Sequence, residues 1–192
     1  FDGKNDYEEM SVDDMHLFGN HNYENVMAAI AMTIEAGVPL NIIINVIKDF
    51  MGVEHRIEYV RDKNGVRYYN DSKGTNPDSS IKALEAMSRP TILIAGGYDK
   101  HSEFDEFIEA FDNKVKLMVL LGQTADKIEE TAVRHGFTNI IKTDSLEKAV
   151  KICAENAVSG DVVLLSPACA SWGMFKNYEE RGKLFKEYVN SL

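Results

Sequence analysis

With 192 residues, the chain has room for one domain of roughly 150 residues and a remainder. Its 44% hydrophobic and 27% charged residues are ordinary globular composition, which argues against a disordered or collagen-like chain. A formal net charge of −10 repels phosphate backbones and anionic lipid, so neither nucleic acid nor a membrane is expected as partner. The longest apolar runs, such as Leu117 to Leu121, fall far short of the ~18 residues a membrane span needs.

The polar opening Phe1 to Asp6 has no initiator Met and no basic-then-apolar signal, the pattern of a soluble piece of a longer protein. Cys153 and Cys169 have no C-x-x-C spacing, so a reducing cytoplasm fits, without a disulfide framework or zinc site. Asn20 or Asn22 is positioned to cap a first helix, along which Val26, Ala29, Ile30, Thr33 and Ile34 recur at helical spacing. Gly37 and Pro39 end it and begin a second helix through Ile43, Val46, Ile47 and Phe50, closed by Gly52. Two such helices bury too little surface to stand alone, so residues 1–52 are expected to be the end of a preceding domain.

After Gly52 the pattern changes. Ile57 to Val60 and Val66 to Tyr69 flank Asn64-Gly65, a strong hairpin signal. Buried strands are predicted at Thr91 to Ala95, Leu117 to Leu121, Asn139 to Ile141 and Val162 to Leu165. Helical patterns fall near 77–87, 103–111, 125–134 and 145–157. A last helix should bury Tyr178, Phe185, Tyr188 and Val189. The expected fold for 53–192 is therefore α/β: a Rossmann-like, doubly wound, mostly parallel sheet with a β-hairpin at its N-terminal end.

Binding sites in such folds lie beyond the carboxyl ends of the strands. That rule selects three loops: Asn70 to Pro77, Gly96 to Lys100, and Ser166 to Trp172 running on to Gly182. Backbone N–H groups at helix starts favour anions, and Lys73, Lys100, Lys176 and Arg181 add positive charge to an acidic chain. A ligand bearing carboxylates or phosphates is the expectation. Plainer readings stand beside it. Asn70 to Pro77 is also a fair turn and helix cap, and Gly96-Gly97 a fair tight turn. Cys169 reads either as a nucleophile or as a small buried residue, and Trp172 more readily as packing than as stacking. The motifs G-x-x-x-x-G-K-[ST], G-x-G-x-x-G and H-E-x-x-H are absent, so no triphosphate cradle, dinucleotide fingerprint or zinc pair is indicated.

Gly19 to Asn25, Glu54 to Glu58, Asn70 to Asn76, Gly96-Gly97, Ser166 to Ser171 and Phe175 to Gly182, taken in order, resemble the Mur ligases. Within that family the Asn-Asp-Ser-Lys-x-Thr-Asn and Ser-Pro-Ala-Cys-Ala-Ser segments resemble the D-glutamate-adding branch. The resemblance implies the end of a central ATPase domain followed by a complete C-terminal domain, in a cytoplasmic monomer serving peptidoglycan synthesis. It implies ATP and Mg2+ as cofactors, with D-glutamate and UDP-N-acetylmuramoyl-L-alanine as substrates. The Walker lysine and main magnesium ligands lie upstream in this family, so no metal ligand is expected here and the 192 residues alone should be inactive.

Carried over by residue, the resemblance implies nucleotide contacts at Asn22, Arg56 and Asp71, and catalytic roles for Lys73 and Asp71. It implies amino-acid contacts at Thr75, Lys100, Ser171, Trp172 and Tyr178. In Gly96 to Lys100 the order of the acidic residue departs from the family pattern, which leaves Asp99 without a role. A sister ligase, one acting on folate included, and a non-catalytic anion-binding module are the competing readings.

Overall fold

The computed structural model describes residues 10–17 and 19–192; the opening Phe1 to Asp6 lies outside them. The chain divides into two units, residues 1–52 and 53–192. In the first, a short 3-10 turn (Val12–Asp14) precedes helices α1 (Asn20–Glu35) and α2 (Leu40–Asp49). Neither Asn20 nor Asn22 is the cap: the helix begins at Asn20, and Gly19, at φ 94°, takes the cap position. On α2, Ile43 and Ile44 are buried while Val46, and Phe50 at its C-cap, are exposed, because a two-helix pair covers only one stripe of each helix.

The second unit carries the six-stranded sheet. Its strands are β1 (Glu58–Lys63), β2 (Val66–Asn70), β3 (Thr91–Ala95), β4 (Val115–Leu120), β5 (Ile140–Lys142) and β6 (Val162–Leu165). Helices α3 (Pro77–Glu85), α4 (Asp105–Glu109), α5 (Ala125–Arg134), α6 (Leu146–Asn156) and α7 (Tyr178–Ser191) separate or follow them. The β1–β2 hairpin turns on Asn64 and Gly65, both at positive φ, as a two-residue turn of matching twist requires. Strand β4 starts two residues earlier than the apolar run suggested, since Lys116 is tied to Asp161 and tolerates a strand position.

The sheet order is β1-β2-β6-β3-β4-β5, and all neighbours except β1–β2 are parallel. Ile92, Ile94, Val119, Val163 and Leu165 face one core with Ala149, Val150 and Cys153 of α6 and Phe185 and Val189 of α7. Residues of opposite parity, Leu93, Met118, Leu120 and Leu164, are just as buried, and α3, α4 and α5 pack one on the next with Leu84, Phe107 and Ile128 buried. Both faces are thus covered, which explains strands apolar at every position. The route β2–α3–β3 steps over the place later filled by β6. Chain leaving β3 goes to α4 on one face, and chain leaving β6 goes to α7 on the other. The carboxyl edge between β3 and β6 is therefore the switch point, where such sheets open a crevice.

Candidate active site

The three loops selected from the sequence meet at this edge, and hydrogen bonds lace them together. Gly96 N donates to Pro167 O at 2.8 Å and Tyr98 N to Ala170 O at 2.9 Å, so the loops after β3 and β6 run side by side. Their close approach is why glycine stands at 97: a Cβ there would fall against the Ala170 carbonyl oxygen. Asp71 N donates to Leu165 O at 2.7 Å, joining the loop after β2 to the end of β6. Helix starts are fixed by side-chain caps, Asn76 accepting from Ser79 N at 2.9 Å and Asn177 from Glu180 N at 2.8 Å.

Beneath the edge lies a buried polar knot. Asp71, only 3% exposed, accepts from Ile57 N (3.2 Å) on one oxygen and from Ser166 Oγ (2.7 Å) on the other. Ser80 Oγ lies 2.8 Å from Ser166 Oγ and accepts from Ala168 N at 3.0 Å. Arg181, 2% exposed, is the cross-member: Nε donates to Ser72 Oγ (2.9 Å), Nη2 to Ser72 O (2.7 Å) and Nη1 to Cys169 O (3.1 Å). One guanidinium thus ties the loop after β2 to the loop after β6. Asn70 completes the layer, donating to Glu58 Oε2 at 3.0 Å and packing at 2.9 Å against His55 Nδ1.

Above the knot is a cationic, aromatic rim. Lys73 Nζ donates to the Tyr178 hydroxyl at 3.2 Å and lies 4.9 Å from the centre of its ring. Lys100 Nζ sits 4.8 Å from the centre of the Trp172 ring, which meets Tyr98 edge-on at 5.5 Å. Trp172 is 53% exposed, so it is not the packing residue its sequence context suggested; it lies two residues beyond the antiparallel backbone bridge between Ala170 and Tyr98, on the rim. Thr75 is half-buried beside Lys73, and Ser171 is buried next to Trp172.

Burial pushes the Asp71 carboxyl up to about 7, against the opposing pull of the Ser166 and Ile57 hydrogen bonds and of nearby Arg56 and Arg181. Burial likewise lowers Arg181 to about 10. It pushes the Cys169 thiol up to about 11, so at neutral pH Cys169 is a neutral, buried group beside Thr124 Oγ1, and the nucleophile reading falls away. Arg56 is exposed and forms no ion pair with Asp71, and Asn22 lies within α1. Among the described residues, Glu54, His55 and Glu58 are grouped as metal ligands could be, yet Lys186 already reaches both carboxylates at 2.7 and 2.9 Å. An ammonium there and an imidazole donor do not fit Mg2+, which prefers an octahedron of oxygens.

Sequence reasoning counted Arg181 among the cations offered to an anionic ligand, and it assigned no individual role to Asn70, Ser80 or Ser166. A signal for Arg181 existed: it precedes Phe185 by four residues and Val189 by eight, which puts an arginine on the buried stripe of α7.

Comparison with known proteins agrees with this architecture. Residues 55–169 match the model of the Mur ligase, glutamate ligase domain. Over 191 residues the chain is 65% identical to the UDP-N-acetylmuramoylalanine–D-glutamate ligase of Lachnospira eligens, covering 100% of this chain and 42% of that protein. The protein of the same name from Thermoanaerobacter pseudethanolicus is 53% identical over 185 residues, covering 95% and 41%. The chain thus spans about two fifths of the length of these relatives. Among solved structures, the UDP-N-acetylmuramate-alanine ligase MurC of Thermotoga maritima superposes with a TM-score of 0.69 at 17% identity, over 92% of this chain and 39% of that one. The folylpolyglutamate synthase of the same organism gives 0.64 at 15% identity, over 98% and 42%. At those identities the solved structures speak to the fold alone. The domain match, with the lysine-bearing loops gathered at the switch point of its sheet, shows that this chain belongs to the Mur ligase family.

Proposed function

We propose that the chain is the C-terminal part of a cytoplasmic, monomeric, ATP-dependent ligase that joins D-glutamate to UDP-N-acetylmuramoyl-L-alanine in peptidoglycan synthesis. The observation that carries this reading is the pair Lys73 and Lys100. In a chain of net charge −10, eight lysines, at 48, 82, 116, 127, 142, 148, 151 and 186, form ion pairs, whereas these two ammonium groups sit at the switch-point edge against aromatic rings and, among the described residues, have no carboxylate partner. Two cations awaiting anions suit an amino acid with two carboxylates and an acceptor that becomes phosphorylated. The names of the 65% and 53% identical relatives point to the same substrates.

ATP with magnesium supplies a phosphoryl group, which turns the terminal carboxylate of the muramoyl substrate into an acyl phosphate, since a bare carboxylate is a poor electrophile. The amine of D-glutamate attacks the carbonyl carbon, loses a proton, and inorganic phosphate leaves. In this reading Lys100 holds one carboxylate of D-glutamate, while Thr75, Ser171 and Tyr178 fix its orientation through neutral contacts. Lys73 offsets charge on the phosphorylated intermediate, and the buried Asp71 keeps its loop in place for that purpose. Asn22, Arg56 and the loop of Asp71 are assigned to the nucleotide, with magnesium held by residues outside this chain. Phosphate release by the full-length ligase is the test. It should require ATP, UDP-N-acetylmuramoyl-L-alanine and D-glutamate together, and the 192 residues alone should release none. Equal release with a different amino acid would transfer the chain to a sister ligase, and release by the isolated chain would contradict the division of labour.

A further inference from the structure

We infer that Trp172, braced by Tyr98, is a positioning residue for Lys100. Its ring holds the ammonium group at the place where a carboxylate of the amino acid arrives; the inference rests on the assignment of Lys100 to D-glutamate. A lysine has a flexible four-carbon stem, and a free one beside acidic neighbours is drawn into ion pairs. The surroundings of Lys100 offer that diversion, because Asp99 precedes it and Glu103 follows within three residues. Neither is taken. Asp99 Oδ1 instead accepts from His101 N at 2.7 Å, and Glu103 is engaged by Lys127 at 3.5 Å. The Lys100 ammonium lies 4.8 Å from the Trp172 ring centre, within the range of cation–π attraction.

The ring is itself held. Tyr98 meets it edge-on at 5.5 Å and 61°, and Tyr98 is fixed by the backbone bridge to Ala170, two residues before Trp172. Loop and ring are therefore held against each other. A π-face attracts the ammonium without neutralising it, whereas a carboxylate in that place would compete with the substrate. The arrangement stores a cation in a fixed position with its charge still available, so less side-chain freedom is lost when substrate binds.

The test uses the full-length ligase carrying Trp172→Leu, Trp172→Phe, Lys100→Ala, and the Trp172→Leu/Lys100→Ala pair. With Trp172 half exposed, leucine should leave the melting temperature unchanged. The D-glutamate KM should rise about two- to fivefold in Trp172→Leu, the scale of an exposed cation–π contact, and less in Trp172→Phe, with the ATP KM unmoved. In the Lys100→Ala background the leucine substitution should add nothing, because the group it positions is gone. An unchanged D-glutamate KM in Trp172→Leu, an equal rise for ATP, or the same rise with Lys100 already removed would overturn the positioning role while leaving the glutamate site intact. If Lys100→Ala itself leaves the D-glutamate KM unmoved, the assignment of the site fails and the role of Trp172 fails with it.

Discussion

Within the loops at the carboxyl edge, neighbouring polar residues live in two different settings. Asn70, Asp71 and Ser72 are buried and hydrogen-bonded to partners far away in sequence, while Lys73, one residue on, rests on a tyrosine ring at the surface. The same division recurs after β6, where Ser166 belongs to the knot and Trp172 to the rim, and at α7, where Tyr178 faces Lys73 and Arg181 is enclosed. The lower layer holds the loops in register and the upper layer presents charge. A buried charge without its partners is costly, so the two layers should respond to substitution in opposite ways.

The sharpest separation should come from Arg181→Ala. Ser72 O and Cys169 O lose their donor in a site closed to water, and a cavity remains. A loss of about 3–5 kcal/mol is expected, read as a fall of roughly 10 °C or more in melting temperature. Arg181→Lys should recover only part of it, since one ammonium cannot reproduce the fork. A melting temperature within a degree or two of the parent would make the knot an accessory of the fold.

Next in size is a pH effect. A carboxyl near 7 in the folded protein, against 3.8 as its ordinary value, binds its proton more tightly when folded. Its contribution to stability is complete below about pH 4 and is lost as pH rises through 7, by up to about 4 kcal/mol. Asp71→Asn should remove that part of the pH dependence, so the stability difference between parent and variant should grow in favour of the variant from pH 5 to pH 8. Parallel stability–pH curves would mean that Asp71 is ionised throughout.

Substitutions at exposed Arg56 and at Ser171 of the rim should act on the kinetics rather than on the melt. Arg56→Ala is expected to raise the ATP KM of the full-length ligase about tenfold, the scale of one charged hydrogen bond, without altering that for D-glutamate. An unchanged ATP KM would take Arg56 away from the nucleotide. Ser171→Ala, which removes a neutral donor, should raise the D-glutamate KM only about two- to fivefold. An effect as large as that of removing a lysine would show the hydroxyl to be more than an orienting contact.

Much of the fold was legible because its signals are local. Apolar runs such as Ile92 to Ala95 and Val162 to Leu165 can hardly be anything but buried strands, and Asn64-Gly65 and Asn76-Pro77 announce a hairpin and a helix start. The loops of the candidate site were legible for a similar reason, as polar, small-residue stretches at strand ends. The knot was not. Arg181 and Ser72 are 109 residues apart, as Ser166 and Asp71 are 95 apart, and no spacing rule connects them. Trp172 was misjudged because a large aromatic is usually core, and only the structure shows this one on the rim, two residues beyond the backbone bridge between Tyr98 and Ala170.

The claim on which all of this depends is that the upper layer binds the amino acid, and Lys100→Ala in the full-length ligase tests it most directly. Steady-state kinetics should show the D-glutamate KM raised about ten- to a hundredfold, with the ATP KM and the melting temperature unchanged, as expected when one charge-assisted contact to substrate is lost. A D-glutamate KM equal to that of the parent, or one that rises only in step with the ATP KM, would contradict it.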